Sequence, residues 1–147
     1  MEDSSGRSLK RGGDQGYPGV DDGAERVTIV LVRTTVLIVD DHPTFRRFAR
    51  RLFEEAGFDV VGEAEDGRSA VDSAAALRPD LVLLDVMLPD VSGIEVADRL
   101  SGESTVLLVS SRSAEDLAID PLSKHRFLRK DELSLDRIRA VVNGGSG

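Results

Sequence analysis

Three short runs, Val36-Leu37-Ile38-Val39, Leu81-Val82-Leu83-Leu84 and Val106-Leu107-Leu108-Val109, are wholly apolar and stop abruptly at polar residues. Runs so short leave no face for water, which suits strands in the middle of a sheet covered on both sides. Between them lie segments with helical periodicity and short joins. That alternation is the pattern of βαβ units and a parallel sheet.

The first strand, Val36 to Val39, is followed by a helix over about Thr44 to Ala56. There Phe45, Phe48, Leu52 and Phe53 form an apolar stripe at i, i+3, i+7 and i+8, and Gly57 stands as a stop. A second strand at about Asp59 to Ala64 leads to a helix over Gly67 to Leu77, which Pro79 ends. The strand Leu81 to Leu84 precedes a helix over Ser92 to Leu100. Val106 to Val109 precedes a weak helical segment, Ala114 to Ile119, which has little apolar periodicity and runs into Asp120-Pro121. A strand at about Arg126 to Leu128 and a helix from about Leu133 to Val142 complete the series. The fold class is α/β, a doubly wound parallel sheet of five strands.

The chain of 147 residues has room for one ordinary core. Met1 to Arg26 is rich in Gly, Ser, Asp and Arg and cannot bury enough apolar area to offset its ordering entropy. The expected organisation is an N-terminal extension over 1–33, mostly disordered, a domain over 34–142, and a flexible C-terminal end over 143–147. Val27 to Val32 has strand composition without an obvious partner. It extends the first strand, adds an edge strand, or is translated sequence upstream of a natural start, and the sequence leaves all three open.

A formal charge of −8 argues against nucleic acid as a direct partner, because phosphate backbones are bound by clustered cations. With no cysteine there is no disulfide framework and no thiolate metal site, so the cytoplasm is the expected compartment. The apolar stretch Val27 to Val39 is broken at Arg33, Thr34 and Thr35 and falls short of the roughly 20 residues of a membrane span. The long polar segment before it does not fit a secretory signal.

Ligands of an open parallel sheet bind beyond the carboxyl ends of its strands. Those positions hold Asp40 and Asp41, then Asp85, then Ser110 and Ser111, then Lys130. Three carboxylates at one edge repel one another unless a cation neutralises them. Mg²⁺ fits, since it takes oxygen ligands and is commonly held by one or two carboxylates plus a phosphate oxygen. A carboxylate can accept a phosphoryl group, whose negative charge calls for a metal, an ammonium and a hydroxyl. Asp40-Asp41 alone would be an ordinary acidic turn, and Ser110-Ser111 alone a polar loop; the combination with Asp85 and Lys130 carries the reading.

Four stretches resemble the receiver domain of bacterial two-component response regulators: Val36 to His42, Pro79 to Gly93 with Pro89 and Gly93 four and eight residues after Asp85, Val106 to Ser111, and Phe127 to Asp131. The resemblance covers about Thr34 to Val142. It implies a flavodoxin-like sheet of order 2-1-3-4-5, with Asp85 as phosphoacceptor. It implies that Asp41 and Asp85 ligate Mg²⁺ directly, that Asp40 acts largely through water, and that the Met87 backbone carbonyl completes the protein's share. Ser110 matches the hydroxyl that swings toward the phosphoryl group, Lys130 the cation that pairs with it, and Phe127 the aromatic that changes rotamer with Ser110. The function implied is a single-domain response regulator, a signalling protein rather than an enzyme. It would be phosphorylated by a histidine kinase or phosphotransfer protein and would act on an unknown output protein.

The match departs from the family in places. Asp85 to Ser110 and Ser110 to Lys130 are each a few residues closer than the family leads one to expect, and Asp131 stands where a proline is often found. The trimmed region is the one that usually forms the output surface, which keeps a degenerate receiver, acting only as an interaction module, as an alternative. An aspartate-nucleophile phosphohydrolase would want an acid two residues after the nucleophile, and Met87 stands there. His42 reads as the residue starting a helix beside Pro43 rather than a proton shuttle, and His125 as a surface residue. Arg46, Arg47, Arg50 and Arg51 read as a solvated helix face, although in this family the first helix commonly meets the kinase.

Overall fold

The computed structural model describes residues 33–120 and 125–143. The expectations placed on 1–32, the apolar run Val27 to Val32 included, and on 144–147 lie outside the described residues. The elements are β1 (Thr35–Val39), α1 (Pro43–Glu55), β2 (Asp59–Ala64), α2 (Gly67–Leu77), β3 (Leu81–Asp85), α3 (Gly93–Leu100), β4 (Thr105–Ser110), β5 (Arg126–Arg129) and α4 (Leu135–Asn143), with a 3₁₀ turn at Lys130–Glu132. All neighbouring strands pair in parallel and the order is β2-β1-β3-β4-β5, the doubly wound arrangement implied by the resemblance.

The three apolar runs are the three inner strands, and side chains alternate between two cores. Leu37, Val39, Val82, Leu84, Val106 and Leu108 pack on one face with Ala70 and Ala74 of α2 and Val96, Ala97 and Leu100 of α3. Val36, Ile38, Leu81, Leu83, Leu107 and Val109 pack on the other with Ala49 and Phe53 of α1 and Ile138 of α4. A strand buried on both faces has no polar outlet until it ends. Its first polar residue is therefore delivered at the sheet edge.

Helix ends follow local chemistry. Asp66 and Ser69 form a reciprocal capping box at the start of α2, and Arg78, at φ 49°, closes it before Pro79. The Ser92 hydroxyl accepts the Ile94 N–H at 3.1 Å to open α3.

Four expectations change. Phe48 is exposed, and the buried stripe of α1 is carried by Ala49 and Phe53, with Phe45 and Leu52 packed beside them, because small Ala49 lets the helix lie close to the sheet. Ala114 to Ile119 is a series of turns and not a helix. The Ser113 hydroxyl accepts the Asp116 N–H and the Leu117 N–H reaches the Ser113 carbonyl, but Ala118 turns to φ 54° and Asp120-Pro121 prevents continuation. The last helix starts at Leu135 rather than Leu133, since Ser134 serves as its cap by accepting the Arg137 N–H. Finally, the His125 side chain is only 5% exposed and its Nε2 lies 2.8 Å from the Asp98 carboxylate, so it is not a surface residue.

Candidate functional site

Asp40, one residue past β1, and Asp85, the last of β3, stand side by side because β1 and β3 pair in register with Val39 opposite Leu84. Both are almost wholly buried. Backbone bonds hold their edges: the Asp40 N–H donates to the Ala64 carbonyl of β2 and the Val86 N–H to the Val109 carbonyl of β4. Asp41 lies beside them, with its side chain about one third exposed.

Lys130 closes the group from the other side of the sheet. Its ammonium is 2.5 Å from Asp40 Oδ2 and 3.5 Å from Asp85 Oδ2. β5 carries it there, and the 3₁₀ turn fixes it, with the Arg129 N–H bonded to the Glu132 carboxylate and the Leu133 N–H to the Lys130 carbonyl. The ammonium also lies 4.5 Å from the centre of the Phe45 ring, where the aromatic face adds cation–π attraction. Burial is the main force on Asp85 and raises its pKa to about 6; the negative charge of Asp40 pushes the same way, while the Met87 N–H at 3.0 Å and Lys130 oppose it.

One cation does not balance this set of carboxylates. Asp40 Oδ2 is paired with the ammonium, while Asp41 Oδ1 is buried and makes no hydrogen bond among the described residues. Donor atoms of Asp40, Asp41, His42 and Asp85 all lie within 4.8 Å of one another. Carboxylate oxygens that converge in this way, one of them buried without a hydrogen bond among the described residues, fit a hard divalent cation, and Mg²⁺ matches the oxygen chemistry.

The loop after Asp85 is built tightly. Gly93 donates its N–H to the Val86 carbonyl, and a Cβ at Gly93 would sit 2.1 Å from the Asp85 carbonyl oxygen, so only glycine lets α3 start here. Met87, whose carbonyl is the expected metal donor, pairs with Ser92 in a single antiparallel bridge, and its side chain is exposed. Asp90 ties the loop to α2 by accepting the Gly67 and Arg68 N–H groups at 2.8 and 3.0 Å, bonds that hold its carboxyl below the usual range.

Asp40, Asp41, Asp85 and Lys130 are thus brought together as the sequence implied. Ser110 is buried at the end of β4, one residue past the level of Asp85, and its hydroxyl accepts the Arg112 N–H at 3.1 Å. Phe127 is half-buried against the core beneath α2 and α3, opposite Leu108 and two residues short of the position paired with Ser110.

Sequence reasoning missed three contributors. Arg46 donates to the Asp40 carbonyl at 2.6 Å and to Glu63 at 2.9 Å. Arg50 also bonds Glu63, whose carboxyl these two guanidinium groups hold below its ordinary pKa. Arg46 and Arg50 therefore fix the end of β1 against β2, and only Arg47 and Arg51 remain on the solvated face. Their spacing of four, on the side of the helix toward Glu63, was the available signal. The third contributor is the ring of His42, which starts α1 as expected but places Nδ1 3.0 Å from Asp40 Oδ1.

A family model described as the response regulator receiver domain matches residues 36–143. The nitrate/nitrite response regulator protein NarP of Escherichia coli (strain K12) is 38% identical over 118 residues, 74% of this chain and 55% of that protein. The nitrate/nitrite response regulator protein NarL of the same strain is 33% identical over 119 residues, 77% of this chain and 55% of its own length. Among solved structures, the signal receiver domain of a NarL response regulator from Mycobacterium tuberculosis superposes with a TM-score of 0.68 at 32% identity, covering 78% of this chain and 98% of that one. The chain spans about half the length of the curated relatives it matches. No helix among the described residues is long and apolar enough to cross a membrane.

Proposed function

Because the chain belongs to the receiver-domain family of response regulators, we propose that Asp85 accepts a phosphoryl group and that the new charge switches a protein interaction surface. The observation that carries this reading is the Lys130 ammonium spanning the buried carboxylates of Asp40 and Asp85, with Asp41 converging on the same point. Asp41, Asp85 and the Met87 carbonyl would hold Mg²⁺, with Asp40 acting through water. When bound, Mg²⁺ supplies positive charge against the phosphoryl oxygens.

The chain's own groups divide the remaining work. An ionised Asp85 oxygen attacks phosphorus, and the bond from phosphorus to the donor breaks, its electron pair leaving with the donor. The donor is the phosphohistidine of a histidine kinase or phosphotransfer protein. Lys130 is already within reach of Asp85 and exchanges a carboxylate partner for a phosphoryl oxygen, a charge-assisted contact. Ser110 gives up its bond to the Arg112 N–H to donate its own hydroxyl, and Phe127, on the neighbouring strand, follows by moving inward.

Incubation of the full chain with Mg²⁺ and acetyl phosphate is expected to add one phosphoryl mass, and Asp85→Asn to abolish the addition. A wild-type chain that gains no mass and shows no Mg²⁺-dependent beryllofluoride binding defeats the proposal. One observation favours the second reading, an interaction module independent of phosphorylation: 114–119 forms turns in the place of a helix. A negative result in both assays supports that reading. Turnover of an aryl phosphate would point instead to a phosphohydrolase.

A further inference from the structure

Asp90 makes two bonds that the start of α2 does not depend on. Its Oδ1 accepts the Gly67 N–H at 2.8 Å and its Oδ2 the Arg68 N–H at 3.0 Å, so one carboxylate spans the first two N–H groups of the helix from 23 and 22 residues away. The helix already has a cap of its own: Asp66 Oδ1 accepts the Ser69 N–H at 2.8 Å, and the Asp66 carbonyl accepts the Ala70 N–H. Asp90 is exposed, and water could also satisfy Gly67 and Arg68. What water cannot do is tie α2 to the loop after Asp85. The tie is close, because a Cβ at Gly67 would sit 2.2 Å from Val91 Cγ1, and glycine lets the helix come this near the loop.

That loop is a narrow hairpin. At its base the Gly93 N–H donates to the Val86 carbonyl at 2.8 Å, and Met87 pairs with Ser92. At its tip Leu88 and Val91 rest against the core, a contact without direction, while Asp90 supplies directed bonds to another element. Met87 belongs to the same hairpin, and its N–H donates to Asp85 Oδ1 at 3.0 Å. Holding the tip therefore fixes the tilt of the hairpin, and the tilt sets where Met87 presents its N–H and its carbonyl.

We propose that Asp90 is a positioning residue: through the hairpin it holds the Met87 N–H on the Asp85 carboxylate and the Met87 carbonyl in place for the cation. This role rests on the reading of Asp85 as a phosphoacceptor beside a divalent cation. It adds a residue outside the acidic cluster, five positions beyond the acceptor, and makes α2 part of what places it.

The test compares two variants that each remove hydrogen bonds from the start of α2. Asp66→Ala takes away the helix's own cap and leaves the loop untouched, whereas Asp90→Ala takes away the tie. Titration calorimetry of the full chain measures Mg²⁺ affinity, and NMR follows exchange of the Met87 amide without divalent cations. Asp90→Ala is expected to bind Mg²⁺ about tenfold more weakly than wild type and to exchange the Met87 amide about tenfold faster. Asp66→Ala is expected to match wild type in both, although it melts lower. Should Asp90→Ala fail to fold, Asp90→Asn, which keeps one acceptor oxygen, carries the same comparison with smaller shifts. Equal effects of the Asp66 and Asp90 variants, or a Met87 amide that exchanges no faster without the Asp90 carboxylate, would show that Asp90 merely caps α2 and would overturn the proposal. If wild type binds Mg²⁺ and is phosphorylated while that comparison fails, the phosphoacceptor reading stands without this one. If wild type binds no Mg²⁺, both fall.

Discussion

The loops that follow β3 and β4 leave the same edge of the sheet, yet they are held very differently. The first, from Val86 to Ser92, is pinned by Asp90 to the start of α2, by the Met87–Ser92 bridge to itself, and by Gly93 to the backbone of Asp85. The second, from Ser111 onward, has the Ser113 cap, a few turn bonds and half-buried Leu117 and Ile119 against the core. Among the described residues, bonds are concentrated where the proposed acceptor and its metal would have to be placed to fractions of an ångström. The described part of the second loop, 111–119, is held by fewer such ties.

The sharpest way to break this contrast is to loosen the first loop. Gly93→Ala would press a Cβ against the Asp85 carbonyl at 2.1 Å, and neither backbone can yield without moving the acceptor. Overpacking of that kind costs about 3 kcal/mol. The expected outcome is a large drop in melting temperature together with lost Mg²⁺ binding. A variant that melts like wild type would show that the loop is more compliant than its contacts imply.

The electrostatic strain at the tight end should appear as a pH dependence. The pKa of Asp85 is raised from 3.8 to about 6, so the folded state binds the proton more tightly than the unfolded chain does. Its ionisation therefore costs stability, a penalty absent below about pH 4, growing through pH 4–6 and complete above. Carboxylates such as Glu63, whose pKa is lowered, act in the opposite sense, so the informative quantity is a difference. Without divalent cations, Asp85→Asn is expected to gain on wild type in melting temperature as pH rises from 4 to 6, and to keep that gain above. Saturating Mg²⁺ should reverse the order, because it binds wild type more tightly. An Asp85→Asn gain that is the same at pH 4 and pH 7 would contradict the burial argument.

What the sequence revealed divides along the same line. Val36 to Val39, Leu81 to Leu84 and Val106 to Val109 announce inner strands because burial on both faces leaves no freedom of composition, and the acids at their ends follow from register. Ala114 to Ile119 was read as a weak helix because turn and helix share their first hydrogen bond; what ends it is the backbone of Ala118 at φ 54°, which composition does not reveal. Phe48 was misplaced because it is apolar and close in phase to Phe45, whereas small Ala49 takes the buried position. The role of Arg46 beside Asp40 is not legible because its partner Glu63 arrives from another strand, and the contact of the His42 ring with the adjacent Asp40 depends on a ring rotation that the sequence does not reveal.

The looser loop offers a smaller and opposite test. Ala118 adopts a left-handed conformation that costs an alanine roughly 1 kcal/mol relative to glycine. Ala118→Gly is expected to raise the melting temperature by a degree or two and to leave phosphorylation by acetyl phosphate unchanged. A drop in stability would mean that the chain entropy added by glycine outweighs the relieved strain.

The smallest effect concerns one residue from each of the two loops. Met87 and Arg112 each lie two positions after a site residue, Asp85 and Ser110, and both side chains are exposed. Bulky groups at these places can hinder the in-line approach of water to an aspartyl phosphate without touching the bond itself. Loss of phosphoryl group should accordingly be slow, and shortening either side chain should quicken it by about threefold, under 1 kcal/mol in the barrier. The two substitutions also probe the contrast between loops. Met87 is anchored by its N–H to Asp85, so Met87→Ser removes a screen that is held in place. Arg112 rides on the looser segment, so Arg112→Ser is expected to have the weaker effect of the two. Decay of the phosphorylated form, followed by intact mass after removal of acetyl phosphate, measures both. A rate unchanged or slowed in both variants would remove the screening argument, and a larger effect from Arg112→Ser would mean that the loop after β4 is ordered by the phosphoryl group itself.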